Sequence, residues 1–481
     1  MKQRCGFVFG LLFLSVFMLG GAVSVSAAVE PDGSVVINEV NFPGEAFRKM
    51  VSGSDYDTNQ NGILEREERE QKVWMTIDFT AYSYENNDGA PGTKYSCRGI
   101  EHFPNIKNLT IHEFDRLQER IEGLSQLESV YVENYRDKKL TMQEITQKLP
   151  IGQLKKLSLY NCELEVLDLS EAANLEELAV SRDDEDEIRG KTHVGRINVR
   201  KNRNLKVLTL GALDLKKLDL SQNKKIENIQ ISDMEIPSGV KISELLELRK
   251  IVLRKTRAVK SLDLSRHKKL EELEISDAGQ LKSLILPKNG RLGKMKLSGG
   301  NNHLKKLDLS GQKELKNLLL SNVSGWKTLD LTKNRKLRTL SLSSMTNMKK
   351  LNLKKNVMLR ELSISGNGPK KLDLSKNKKL TDLYLDNPNI RFQLPKKSVL
   401  KYLTLDVSHT TIDLSSCTTS LVRITNMSYG AGTKLKMNRK VFEKLWNSSD
   451  FRLYGSTATP LTKANKKVNI PKKGKYVYVS M

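Results

Sequence analysis

Apolar residues recur in this chain in two alternating beats, and that spacing limits the fold more than any other feature. Lys217-Leu218-Asp219-Leu220-Ser221, Leu262-Asp263-Leu264-Ser265, Leu307-Asp308-Leu309-Ser310, Leu329-Asp330-Leu331-Thr332 and Leu372-Asp373-Leu374-Ser375 carry one beat. Leu208-Thr209-Leu210, Ile229-Gln230-Ile231, Leu273-Glu274-Ile275, Leu340-Ser341-Leu342 and Leu362-Ser363-Ile364 carry the other. Successive members of a beat lie about 21 to 23 residues apart, within the roughly 20 to 29 residues of a leucine-rich repeat. One such turn cannot bury its apolar side alone, but stacked turns bury a continuous core. The expected fold is a repeat solenoid: a right-handed leucine-rich-repeat coil, mainly β with little helix, of about 14 turns of roughly 22 residues.

Strand side chains alternate, so the residue between the last two apolar positions of each beat points outward. In the first beat it is nearly constant: Asp168, Asp219, Asp263, Asp308, Asp330, Asn352, Asp373 and Asp413. Ser or Thr usually follows two residues later, and Asn202, Asn223, Asn289, Asn334, Asn356 and Asn377 stand at the turn, where an amide can bond the neighbouring turn. Stacked aspartates repel, and Lys217, Lys306, Lys350 and Lys371 are expected to offset them. That face reads as framework. In the second beat the outward row is Ser158, Ala179, Thr209, Gln230, Val252, Glu274, Lys296, Leu319, Ser341, Ser363, Tyr384 and Thr404, with nothing held constant. Together with Tyr160 and Arg254 further along their strands, this row is expected to line the concave, ligand-reading face. The competing account is unconstrained drift, and spacing alone leaves open which face is concave.

The ends extend the organisation. Lys2 and Arg4 precede an apolar run from Phe7 to about Val23, then Val25-Ser26-Ala27-Ala28, the layout of a secretory signal peptide. An uncleaved anchor fits less well, because the apolar core is short for a span of roughly 20 residues. The expected domains are 1–27 signal peptide, 28–98 N-terminal cap, 99–425 solenoid and 426–481 C-terminal cap. Within the solenoid, Asp183-Asp184-Glu185-Asp186-Glu187 reads as an inserted acidic loop. The tail reads as a helix over Arg439 to Trp446 and a strand over Lys475 to Val479. Cys97, Cys162 and Cys417 are too few and too scattered for a disulfide framework.

Asp57 to Glu68 follows the pattern D-x-[DN]-x-[DN]-G-x5-E at every fixed position. In an EF-hand-type calcium loop, Asp57, Asn59 and Asn61 would give side-chain oxygens and Ile63 its carbonyl. Glu65 would act through water and Glu68 bidentately, with Gly62 making the sharp turn and Leu64 packing inward. A helix expected near Pro43 to Val51 and a charged segment after the loop supply the helix–loop–helix context. Calcium is therefore the expected cofactor, in a structural role because the loop is single. The alternative is a polar turn that binds nothing.

Asn41-Phe42-Pro43, Phe47-Arg48, the Asp57 to Glu68 loop and Gly99-Ile100-Glu101-x-Phe103 resemble the N-terminal cap of secreted leucine-rich-repeat proteins of Gram-positive bacteria, distant relatives of the internalins. Repeats like Leu372-Asp373-Leu374-Ser375-Lys376-Asn377 continue that resemblance over nearly the whole chain. It implies a secreted or surface interaction protein. Leu394-Pro395-Lys396-Lys397 departs from a wall-sorting signal, so release or charge-based retention at the wall is expected instead of covalent anchoring.

No G-x-S-x-G, no H-E-x-x-H and no phosphate-cradling glycine loop occurs, and the six histidines are scattered. The expectation is a non-enzymatic binder of a protein or glycan through Tyr160, Arg254, Glu274, Lys296, Leu319 and Tyr384. The formal net charge of +25 supports an alternative, a basic envelope protein holding anionic wall polymers or other polyanions. Nucleic acid is not expected, since aromatic residues are only 6% and form no stacking series.

Overall fold

The computed structural model describes residues 29–480 except 81–92, 135–138, 183–193, 427–433, 447–451, 455–459, 462–475 and loop tips at 257–258, 300–302, 305, 323–325, 345–346, 367, 388–389, 407–410, 419–420 and 422. The signal-peptide reading and the acidic Asp183 to Glu187 insertion lie outside the described residues.

The chain is a parallel β-solenoid of about 13 turns, close to the expected 14. Its spine is one open sheet of eighteen strands. The sheet starts at Trp74–Asp78, inside the segment read as cap, and that strand pairs in parallel with Asn108–His112. Pairing then continues turn by turn to Arg452–Tyr454. The register never slips: Leu318, Leu340, Leu362, Leu383 and Leu403 are successive partners, all nearly inaccessible to solvent. A one-residue slip would turn every such leucine outward, so the apolar beat itself locks the stacking.

The opposite side of the coil is paired less continuously: short pairings such as Ser261–Asp263 with Ser283–Ile285, Thr328–Leu329 with Lys350–Leu351, and Lys371–Asp373 with Arg391–Gln393 fill its middle, with longer ones at Glu163–Asp168 with Val194–Asn198 and Thr411–Leu414 with Lys434–Asn438. Here the aspartates form local turns. The Oδ1 atoms of Asp219, Asp263, Asp308, Asp330 and Asp373 each accept the N–H two residues on, at 2.9 to 3.0 Å. These contacts and the neighbouring hydroxyls hold the carboxyls below their ordinary value, Asp373 at about 2 with the Ser375 hydroxyl as the leading cause. The lysine row offsets the aspartates in part, Lys217 lowering the Asp219 carboxyl and Lys306 the Asp308 carboxyl through charge without direct contact. Among the described residues, Lys217, Lys306, Lys350 and Lys371 make no ion pair, and the row's partners are Arg200, Lys354 and Lys436 instead. The turn N–H takes up one oxygen of each aspartate, and those four lysines stay outside direct contact.

A buried amide ladder joins the turns. Asn334 Nδ2 donates to the Leu309 and Gln312 carbonyls at 3.0 and 2.7 Å, and Asn356 Nδ2 donates to Leu331 and Asn334 at 3.0 and 2.8 Å. Asn202, Asn223 and Asn377 do likewise. His267 and Gln312 substitute in their turns, each reaching a carbonyl of the preceding turn. Asn289 does not join: it is exposed and left-handed, with φ 58°. Pro287 fixes its own φ, and the Pro-Lys-Asn-Gly turn it starts places Asn289 in a conformation that Asn tolerates.

Both ends are closed. At the N-terminus, helix Glu45–Val51 buries Ala46, Phe47 and Val51, and Phe42 packs on Phe47 and His102. Gly99 has φ 98°, and a Cβ there would sit 2.4 Å from the Asn41 carbonyl and the Phe42 ring, so the cap and the first turn meet through this glycine. Buried Arg69 ties the His102 carbonyl to the Gly33 carbonyl. At the C-terminus, helix Arg439–Trp446 forms as read and buries Val441, Phe442 and Leu445. Tyr476–Ser480 closes antiparallel on Lys434–Asn438, and Pro460–Leu461 closes antiparallel on Arg452–Tyr454. No helix among the described residues is long and apolar enough to cross a membrane.

Asn334→Ala removes two donors to buried carbonyls and should cost about 2 kcal/mol. Asn334→Asp should cost more, because the Asn334 Oδ1 is already buried without a donor and a carboxylate would face the same carbonyls. Asn289→Ala should stay within about 0.5 kcal/mol of the parent. Denaturation midpoints that fail to rank in this order would refute the ladder. The depressed aspartates contribute fully above their unfolded value of 3.8, and that contribution is lost as pH falls toward about 2. Thermal midpoints should therefore decline across that window, and a flat profile would count against the aspartate turns.

Candidate functional site

Three outward positions per strand, the first, third and fifth, make the surface of the unbroken sheet. Its centre is closed by its own charges. Glu274, 7% exposed, accepts from Arg254 Nε and Lys296 Nζ, each at 3.0 Å. Despite burial, these two cations hold its carboxyl below the ordinary value. Three of the six predicted ligand residues thus bind one another, and Val252 beside Glu274 in register is 2% exposed. Leu319 is half-buried between Lys296 and Ser341 in register.

Along the sheet's entry edge the charges alternate and pair. Lys155 meets Glu128 at 2.8 Å, Lys206 meets Glu176 at 2.7 Å, and Arg249 spans Glu227 and Glu271 at 3.3 and 2.8 Å. One strand position further in, Glu272 spans Lys250 and Lys294 at 3.4 and 2.7 Å. A groove of about 720 Å³ on this edge is lined by Arg249, Lys250, Lys294, Glu227, Glu271 and Glu272 among others. Exposed pairs of this kind contribute little individually, but they neutralise the edge.

The sheet is chemically open toward its ends. Near the first turns, Tyr160 stacks on Tyr131 with ring centres 6.3 Å apart, and His112 lies edge-on to Tyr131. Glu133, 8% exposed, anchors this cluster, accepting the Tyr131 hydroxyl at 3.2 Å and lying 3.0 Å from His112 Nδ1. Near the last turns, Tyr384 sits in register between Ser363 and Thr404. Two positions on, Asp386 and Asp406 are direct cross-strand partners; burial, then the neighbouring Asp406, raises the Asp386 carboxyl. Tyr402 is 43% exposed. Tyr131, His112, Glu133, Asp386, Asp406 and Tyr402 escaped the sequence reading, which followed the third position from Ser158 onward and the fifth only at Tyr160 and Arg254. Tracking the first and fifth positions would have found all but Tyr131, which needed the row extended back to the irregular first turns.

The Asp57 to Glu68 loop is organised by hydrogen bonds among its own residues. Asp57, 2% exposed, accepts the Asn61 and Gly62 N–H groups at 3.1 and 2.9 Å. Asn59 Oδ1 and Asn61 Oδ1 accept N–H groups two residues on, and Gly62 has φ 81°. Leu64 is fully buried, and Ile63–Leu64 pairs antiparallel with Val35–Val36. Glu65 and Glu68 form a capping box at helix Arg66–Glu70. Hydrogen bonding with Glu68, then with Asn61 and Asn59, holds the Glu65 carboxyl at about 2. Its Oε2 is buried with no donor, an oxygen that a cation would satisfy. Among the described residues no three of His, Cys, Asp and Glu gather as a metal centre; this loop reaches a ligand set only by adding two Asn amides and the Ile63 carbonyl. The all-oxygen donors fit calcium.

The three described cysteines are buried and free, and burial lifts the Cys162 and Cys417 thiols to about 12. That makes them poor nucleophiles.

No protein-family model matches the sequence, and no curated protein resembles it closely enough to count as a relative. Among solved structures, the functional domain of InlJ from Listeria monocytogenes, which includes a cysteine ladder, shares 15% identity with a TM-score of 0.50, covering 94% of each chain. The internalin InlF from Listeria monocytogenes also shares 15% identity, with a TM-score of 0.41 over 74% of this chain and 92% of that one. The likeness is one of fold: this chain is an internalin-like leucine-rich-repeat solenoid.

Proposed function

We propose that this chain is an exported, non-enzymatic recognition protein that binds a protein or glycan through the unbroken sheet, with one structural calcium ion in its N-terminal cap. The observation that carries the reading is the contrast between the two faces. One repeats a single Asp-centred turn, while the other presents different side chains at each level on a rigid, in-register support. Hydrogen bonding pins successive turns about 4.8 Å apart on the sheet side, while the broken pairings opposite let them splay, which supports the sheet as the concave face. The aromatic cluster at Tyr131 and Tyr160 and the surface around Tyr384 and Tyr402 are the contact zones, since aromatic anchors contribute most at interfaces. Export rests on the sequence of the first 27 residues.

Screening the chain against a protein and glycan array at low and high salt should give a partner retained at high salt. Tyr160→Ala and Tyr384→Ala should each weaken it by about tenfold or more. A partner indifferent to both substitutions would remove the sheet from the mechanism. Calcium should raise the thermal midpoint, by an amount equivalent to about 2.7 kcal/mol at a hundredfold excess over Kd. Glu68→Gln should abolish that gain. Absence of both heat and midpoint shift on titrating millimolar calcium would make the loop a plain turn.

A further inference from the structure

We infer that the side of the coil opposite the sheet carries a second binding site, a basic groove for an extended, base-free polyanion. The groove encloses about 730 Å³ and is lined by Lys349, Lys350, Lys354, Lys370, Lys371 and Arg391, against one carboxylate, Asp373. Asp373 is already engaged by Lys354 at 3.0 Å and by the Ser375 N–H. The other five cations are exposed and make no ion pair among the described residues.

The groove on the sheet's entry edge has nearly the same volume, but there basic and acidic side chains alternate from turn to turn and pair. The basic groove has only Asp373 to set against six cations. Lys371 and Arg391 are direct partners in a parallel pairing, an arrangement that destabilises a sheet. Lys327 lies on the turn before the groove, and Lys282 and Lys260 lie on earlier turns, all exposed and without ion pairs among the described residues. Backbone bonds from Lys349 to Lys327 and from Lys282 to Lys260 put these on adjacent turns. The result is a column of cations on successive turns within the groove, suited to a chain bearing repeated sulfate, phosphate or carboxylate groups. Phe392, half-buried, is the groove's one aromatic residue, so there is no series of stacking platforms for bases. The site is independent of the sheet reading above.

The test titrates the full chain with heparin, inorganic polyphosphate, polygalacturonate and single-stranded oligothymidylate across a salt series. The variant Lys350→Gln/Lys371→Gln/Arg391→Gln is compared with the equal-charge control Lys316→Gln/Arg338→Gln/Arg360→Gln on the sheet side. At least one base-free polymer should bind, and the three arms identify its anionic group. The groove variant should lose about tenfold or more in affinity, and its log–log salt slope should flatten by about three. The control should lose less than half as much. The groove variant's thermal midpoint should hold or rise, since repulsion is relieved, and its sheet-face binding should be unchanged. Failure of all three polymers to bind, equal losses in both variants, or tighter groove-dependent binding of the oligonucleotide would each overturn the proposal.

Discussion

Cross-turn hydrogen bonding in fixed register is the constraint on which everything else in this molecule rests. Each strand of the spine bonds to the strand one turn before and one turn after, and Leu318, Leu340 and Leu362 can be mutual neighbours only in that arrangement. Because side chains alternate along each strand, the same register that buries the leucines also stacks the outward residues in columns. Ion-pair rows, the tyrosine stack and the basic column are consequences of that columnar order. None of them needs tertiary contact between distant parts of the chain.

Columnar order has an electrostatic corollary. A residue type repeated at the turn period becomes a row of like charges a few ångströms apart, and the chain deals with this differently on its two sides. Over the earlier turns of the sheet's entry edge it alternates sign, as in Glu227, Arg249 and Glu271. On the opposite side the aspartates are bonded by backbone N–H groups of their own turns, with Lys354 and Lys436 pairing only two of them.

Much of this was legible in the primary structure, for a physical reason: a solenoid converts sequence period directly into spatial neighbourhood. The leucine beats, the amide ladder at Asn334, Asn356 and Asn377, and the terminal helix Arg439–Trp446 all follow from local pattern. Asn289 misled because a preceding proline redirected its turn. Glu274, Arg254 and Lys296 look like a reading surface in a one-dimensional row, yet their reach lets them close on one another across three turns. The start of the spine at Trp74 was hidden because that strand precedes the first clear leucine beat.

The two antiparallel closures at the C-terminal end have a consequence for the whole molecule. A stack of parallel turns exposes at its last strand the same bonding pattern that joined every earlier pair, and such an edge would accept another copy as readily as another turn. Tyr476–Ser480 reverses chain direction on one side of the coil, and Pro460–Leu461 does so on the other, with an imino nitrogen that cannot donate. The parallel pattern that would let turn follow turn is thereby broken on both sides of the coil, and neither edge offers the template from which a fibre grows.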